Sequence, residues 1–179
     1  MNMKIKRNNT KGITLVTLSI AIIVLLILAG IAVYSGKETI KKAKLEEMKT
    51  NMLLIKAKAR ECVEEANFKL GVNFDSSTEE GLTKLEEVRS EIYVENAGLE
   101  KVANLTNVNI PNEVPNGDNV YYITKETMKK WGLDKIQLEE GEVYLIEFND
   151  TKSDEIGVEI YNNIGFDNKY SLTDIEQIQ

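Results

Sequence analysis

The chain contains no histidine among its 179 residues. Histidine-based triads, histidine-ligated zinc and histidine general bases are therefore excluded. A single cysteine, Cys62, leaves no internal disulfide and no cysteine-cluster metal site. Proline occurs only at Pro111 and Pro115. Acid is missing from residues 1–12, which carry Lys4, Lys6, Arg7 and Lys11 for a charge of +4. Charge of either sign is missing from residues 13–36.

What remains is strongly segregated. Residues 37–60 hold eight basic side chains and three acids, and residues 61–179 hold ten basic against 26 acidic ones. Residues 61–179 thus carry -16 of charge, although the whole chain carries only -7. Such asymmetry points to a chain that meets more than one environment. The acidic bulk argues against a nucleic-acid partner, which would call for a basic footprint.

The run from Ile13 to Tyr34 is 22 residues without a charge. As a helix it reaches roughly 33 Å, enough to cross the hydrocarbon core of a bilayer. Its hydroxyls before Tyr34 are Thr14, Thr17 and Ser19, clustered at one end. Such groups are tolerated in a membrane helix because they bond back to the backbone. A buried core helix is the alternative, and the length of the run favours the membrane. A cleaved secretory signal would have a shorter apolar region and a small-x-small site, whereas Ala32-Val33-Tyr34 is a poor one. A lipoprotein signal, to which Leu28-Ala29-Gly30 would belong, needs a cysteine where Ile31 stands. A retained single-pass anchor fits the length. Basic residues flank it on both sides, so the positive-inside rule is nearly balanced.

The junction Lys11-Gly12-Ile13-Thr14-Leu15-Val16 adds a feature that a generic anchor does not need. A short basic leader ends in Gly, and the apolar helix starts at the next residue. With no Cβ, Gly lets the chain enter a protease cleft in extended form. This N-terminus resembles that of type IV pilin-like proteins, including the pseudopilins of type II secretion-type machines. The variant here is similar to pilin-like proteins of Gram-positive, clostridium-like bacteria. The resemblance covers roughly residues 4–36. It implies that a prepilin peptidase cuts between Gly12 and Ile13, after Lys11, and methylates the new amino terminus of Ile13. It also implies partners: other pilin-like subunits in a filament, and membrane lipid before assembly. Neither an enzyme activity nor a cofactor is implied.

One position departs from the family's pattern. The fifth mature residue is usually Glu, thought to pair with a neighbouring subunit's amino terminus; here it is Thr17. A lone charge at that depth costs about 2.5–3.5 kcal/mol on insertion scales. Thr17 avoids that cost and cannot form the ion pair. Either the subunit is a minor one near a filament tip, or assembly relies on helix packing. The kinking proline common near mature position 22 is also absent, leaving Gly30 and Gly36 as the flexible points. Thr14, Thr17, Ala29 and Gly30 are the candidate packing positions; Ala21 and Ala32 are further small residues that would permit close helix approach.

Beyond the run, Leu45, Met48, Met52, Ile55, Ala59, Cys62 and Ala66 recur at alternating spacings of 3 and 4. They predict an apolar stripe on a helix continuing from about residue 37 to 70. A coiled-coil dimer is the rival use of that stripe. Cys62 lies on it and reads as a small buried apolar residue. The basic residues near the anchor could lie over anionic headgroups or simply face water.

A break at 71–78 precedes a second helix, capped by Ser77 or Thr78, with Leu82, Leu85, Val88 and Ile92 on one face. Asn96-Ala97-Gly98 closes it, and a short helical turn follows to Leu105. Residues 106–119 read as an irregular connection. Strands are expected at 120–123, 142–148 and 156–160, with a short helix 125–131 capped by Thr124 and ended by Gly132. Tyr144, Ile146 and Phe148 should share one face, opposite Val143 and Leu145. A turn at Asp167-Asn168 leads to a short edge strand. Thr173-Asp174-Ile175-Glu176 has a capping-box pattern for a last helical turn.

The expected class is α+β: a pilin-like long N-terminal helix packed against a small C-terminal antiparallel sheet. In segments, residues 1–12 are a cytoplasmic leader, 13–36 the transmembrane or filament-core helix and 37–70 an amphipathic stalk. Residues 71–118 are a connection, and 119–179 a mainly β region forming one globular domain with 45–118. No catalytic constellation stands out. The pairs Glu79-Glu80, Glu139-Glu140 and Asp154-Glu155 are expected by chance in so acidic a region. Asp150, Asp154 and Glu155 read as a solvated hairpin tip ahead of a Ca²⁺ site, and Trp131 as a core anchor. Three functions compete: a non-enzymatic filament subunit, an uncleaved single-pass protein with an external binding or adhesion domain, and a secreted enzyme or adhesin.

Overall fold

The computed structural model describes residues 10–71, 74–75, 77–149 and 157–178; within the first helix, side chains are described for Leu18, residues 20–26 and residue 36 onward. The protein is α+β, with a five-stranded antiparallel sheet and several helices. Two compact units are present, Met1–Lys44 and Leu45–Gln179.

Helix α1 runs Thr10–Leu70. In the first unit the described apolar residues Leu18, Ile20, Ile22, Ile23, Val24, Leu25 and Leu26 are all exposed. In the second unit α1 is amphipathic. Leu45, Met52, Ile55, Ala59, Cys62 and Ala66 are buried, with Met48 packed beside them. Val63 and Leu70 join the same face. At about 1.5–3 kcal/mol for each large side chain buried, this face holds α1 to the rest of the unit. The helix stops because Gly71 adopts φ +82, a left-handed conformation in which a Cβ is strained.

Thr78 is the cap of α2 (Glu79–Arg89), its hydroxyl accepting from the Gly81 N–H at 3.0 Å. Ser77 is used differently: its N–H and hydroxyl both donate to Asp75 Oδ1. Val88 and Ile92 are buried as the spacing predicts, but Leu82 is 51% exposed. It lies in the first turn of α2, before the helix reaches the core. The helix does not continue in α form to residue 96. Residues Ser90–Asn96 are a π-helix, with Ala97 N–H bonded to the Ile92 carbonyl five residues back. Gly98, at φ +79, ends it.

The strands are β1 (Glu100–Lys101), β2 (Val120–Tyr122), β3 (Tyr144–Asn149), β4 (Gly157–Phe166) and β5 (Lys169–Ser171), side by side in chain order. β1 was not anticipated; it is two residues long and pairs Glu100 with Tyr122. Ile146 sits opposite both Tyr121 and Ile160, and Phe148 opposite Val158. Tyr144, Ile146 and Phe148 join the cluster that holds the α1 face. Leu145, on the other face, packs with Val102, Val114 and Val120. The sheet is therefore covered on both sides. The connection between β1 and β2 supplies the second cover through Val114, Leu105 and Ile110.

Thr124 caps α3 (Lys125–Lys130) through the Thr127 N–H at 3.1 Å, and Gly132 follows at φ +71. Asp167 and Asn168 both take positive φ, at 48 and 60, in the tight turn between β4 and β5. The last helix, α4 (Leu172–Glu176), is capped by Ser171 and not by Thr173. Thr173 is engaged elsewhere: its N–H and hydroxyl donate to the Glu159 carboxylate at 2.9 and 2.8 Å.

Candidate functional site

Three regions of the described structure could carry function, and each is built by a different device. The first is α1 itself. The backbone of Lys11, Gly12, Ile13, Thr14, Thr17, Ala29 and Gly30 is helical within α1, while their side chains lie outside those described. Among the residues searched, no helix is long and apolar enough to cross a membrane; most of the run 13–34 lies outside that set. The described part of the run is apolar on every side. Such a helix matches an apolar surrounding and has no face suited to water.

The second region is the outer face of α1 in the globular unit. Opposite the buried stripe stand Leu53, Leu54 and Phe68, the last 88% exposed. Charged neighbours share this surface, among them Glu61, bonded to Lys58 at 2.8 Å. Lys69 pairs with Glu91 of the π-helix. On a side flank Lys56 lies 3.8 Å from Glu159, and Lys49 Nζ donates to the Ile178 carbonyl at 3.0 Å. These cations tie α1 to the sheet and to the end of the chain.

The third is a cleft of about 500 Å³ lined by α2, the π-helix and the sheet, among its residues Arg89, Tyr93, Lys101, Asp118, Tyr121 and Phe148. Its floor is aromatic. Tyr93 and Phe148 stack at 4.1 Å, and Tyr121 meets both edge-on at 5.8 and 5.6 Å. Burial pushes the Tyr93 hydroxyl up to about 12, against the opposing pull of the Arg89 guanidinium. Tyr121 is raised for the same reason. Both therefore stay protonated and neutral, serving as walls and hydrogen-bonding groups. Asn119 at the rim is used structurally, its amide donating to the Phe148 carbonyl at 3.1 Å. The cleft offers mixed charge on an aromatic base, without a nucleophile and base in contact.

Other polar residues are structural. Asn163 is buried; its amide donates to the carbonyls of Asn109 and Gly141, and its carbonyl accepts from the Val143 N–H at 2.7 Å. It fastens the β1–β2 connection to the sheet. Asn162 accepts from the N–H groups of Ile164 and Gly165 and donates to Glu142. Among the described residues every buried side-chain nitrogen and oxygen has a partner. Burial, with help from Glu65 and Glu61, pushes the Cys62 thiol up to about 11. It behaves as an apolar side chain.

Of the carboxylate pairs read from sequence, Glu79-Glu80 and Glu139-Glu140 are solvent-exposed. Asp150, Asp154 and Glu155 lie outside the described residues, as does Ile156. Among the described residues no cluster of three potential metal ligands occurs. Trp131 is half-buried against the main cluster. The aromatic floor and the Asn162-Asn163 pair escaped the sequence reading. Adjacent amides inside a strand of alternating apolar residues were the available signal for the second.

Neither family models, curated proteins nor solved structures give a significant match to this chain.

Proposed function

We propose that the chain is a non-enzymatic structural subunit of a type IV filament-type assembly, a pilin-like protein or pseudopilin. A prepilin peptidase removes residues 1–12 and methylates Ile13. Before assembly the subunit is a single-pass protein of the cytoplasmic membrane, its C-terminal domain outside. It then joins other pilin-like subunits in a surface filament. The mature helix leaves lipid by packing against other helices, exchanging one apolar setting for another.

The observation that carries this reading is the abutment of Lys11-Gly12 on 22 uncharged residues after a basic, acid-free leader. Two further features support it. The described residues of that run are apolar on all sides. The later part of α1 is amphipathic and buries one face in an α+β unit with an antiparallel sheet. A helix that buries one face against an antiparallel sheet is what the resemblance to pilin-like proteins calls for in the globular domain. The acidic domain would coat the outside and favour solubility.

Co-expression with a prepilin peptidase tests the proposal. Gly12→Val should abolish processing while leaving membrane insertion intact. No processing of either form would leave an uncleaved single-pass protein as the better account, and equal processing of both would show a cut that does not depend on Gly12.

A further inference from the structure

Lys37, Lys41, Lys42 and Lys44 are all exposed on α1, with Glu38 the single acid among residues 37–44. Lys37, Lys41 and Lys44 recur at i, i+4 and i+7, which places them on one stripe of the helix. The stripe starts three residues after Tyr34, the end of the uncharged run. At 1.5 Å per residue its lysines stand between about 4.5 and 15 Å beyond that end. The headgroup band of a leaflet is about 5–8 Å deep. Helical side chains lean toward the helix N-terminus, so these lysines reach back toward the apolar run. Their long stems allow the ammonium groups to settle at headgroup depth.

We propose that the stripe of Lys37, Lys41 and Lys44, with Lys42 on another face of the same turns, docks anionic phospholipid headgroups. The inference rests on the reading of residues 13–34 as a membrane anchor and adds the partner that the adjoining helix takes in the bilayer. Each ammonium meets a phosphodiester as a point charge, so the contact weakens as salt rises. A water-facing stripe would gain nothing from lipid charge. A headgroup stripe gains from every anionic lipid beside the anchor. The subunit must shed these lipids when it leaves the bilayer, so the stripe holds back unassembled subunits more strongly in anionic membranes.

The test uses the full chain in lipid nanodiscs, one set of phosphatidylcholine alone and one enriched in phosphatidylglycerol. Lysine acetylation is followed site by site with mass spectrometry, and protease protection of residues 13–34 reports insertion. In the anionic discs Lys37, Lys41, Lys42 and Lys44 should acetylate about fivefold more slowly. The exposed Lys125, Lys129 and Lys130 should react equally in both. High salt should remove the difference. Equal rates in an inserted chain would overturn the stripe and leave the anchor standing. Equal slowing by inorganic phosphate in phosphatidylcholine discs would show a free-anion site and overturn the lipid assignment. Failure of the chain to insert would overturn the anchor, and the stripe with it.

Discussion

The rings of Tyr93 and Phe148 stack 4.1 Å apart with only 12° between their planes, joining the π-helix to the third strand. Tyr121 closes the group edge-on from the second strand. Three elements that are distant in sequence thus share one aromatic joint. Phe148→Ala should cost about 3–5 kcal/mol, because the cavity it leaves is walled by rings and cannot collapse. Phe148→Leu should cost less, losing the ring contacts but keeping most of the volume. Denaturant unfolding monitored by near-ultraviolet circular dichroism would measure both. Equal stability of Phe148→Ala and the parent chain would contradict this account of the joint.

Asn163 makes a second prediction. Its side chain satisfies the Val143 N–H and two carbonyls on separate segments. Asn163→Ala should destabilise by about 1–3 kcal/mol or more, since buried partners lose their bonds. The effect should be local first: hydrogen exchange should quicken at Val143 and across residues 106–119, ahead of β3 itself. Uniform quickening would mean that the connection is not held separately.

How much of this was legible in the sequence depends on how local the signal was. Thr124 was readable as a cap, and Thr78 as one of two candidates beside Ser77, because capping is settled within three residues. The α1 stripe was readable because its period repeats over many turns. Thr173 misled because its hydroxyl is taken by Glu159, which is on β4, 14 residues away. Leu82 fitted the helical period, but period does not say where a helix meets the core. The π-helix has no compositional mark, since one wider turn is decided by what Tyr93 and Ile92 pack against. At the candidate processing site, the leader and the run are plain in sequence. The aromatic cleft, built from three separate segments, was not.

The glycines give a contrast. A Cβ on Gly36 would meet open space, and α1 is helical there, so Gly36→Ala should stabilise the helix by about 1 kcal/mol. A Cβ on Gly81 would overlap the Asp75 carbonyl. Gly81→Ala should therefore destabilise, despite alanine's higher helix propensity. Thermal unfolding of the two variants should shift in opposite directions.

The pH dependence has a definite sign. Burial pushes the Cys62 thiol from its ordinary 9.0 up to about 11 in the folded chain. The unfolded chain loses that proton first, so stability should be intact below pH 9 and fall as pH rises from 9 to 11. Tyr93 extends the fall between 10.0 and about 12. Cys62→Ala should remove the earlier part of the alkaline decline while lowering stability somewhat at neutral pH. In the folded protein, alkylation of Cys62 at pH 8 should be slow and should match the rate of opening.

The central claim concerns the amino terminus. Intact-mass and N-terminal peptide mass spectrometry should be performed on the protein taken from cells that possess a prepilin peptidase. The account predicts a chain beginning at N-methylated Ile13, with residues 1–12 gone. A chain that still carries Lys11 and Gly12 under those conditions would contradict it.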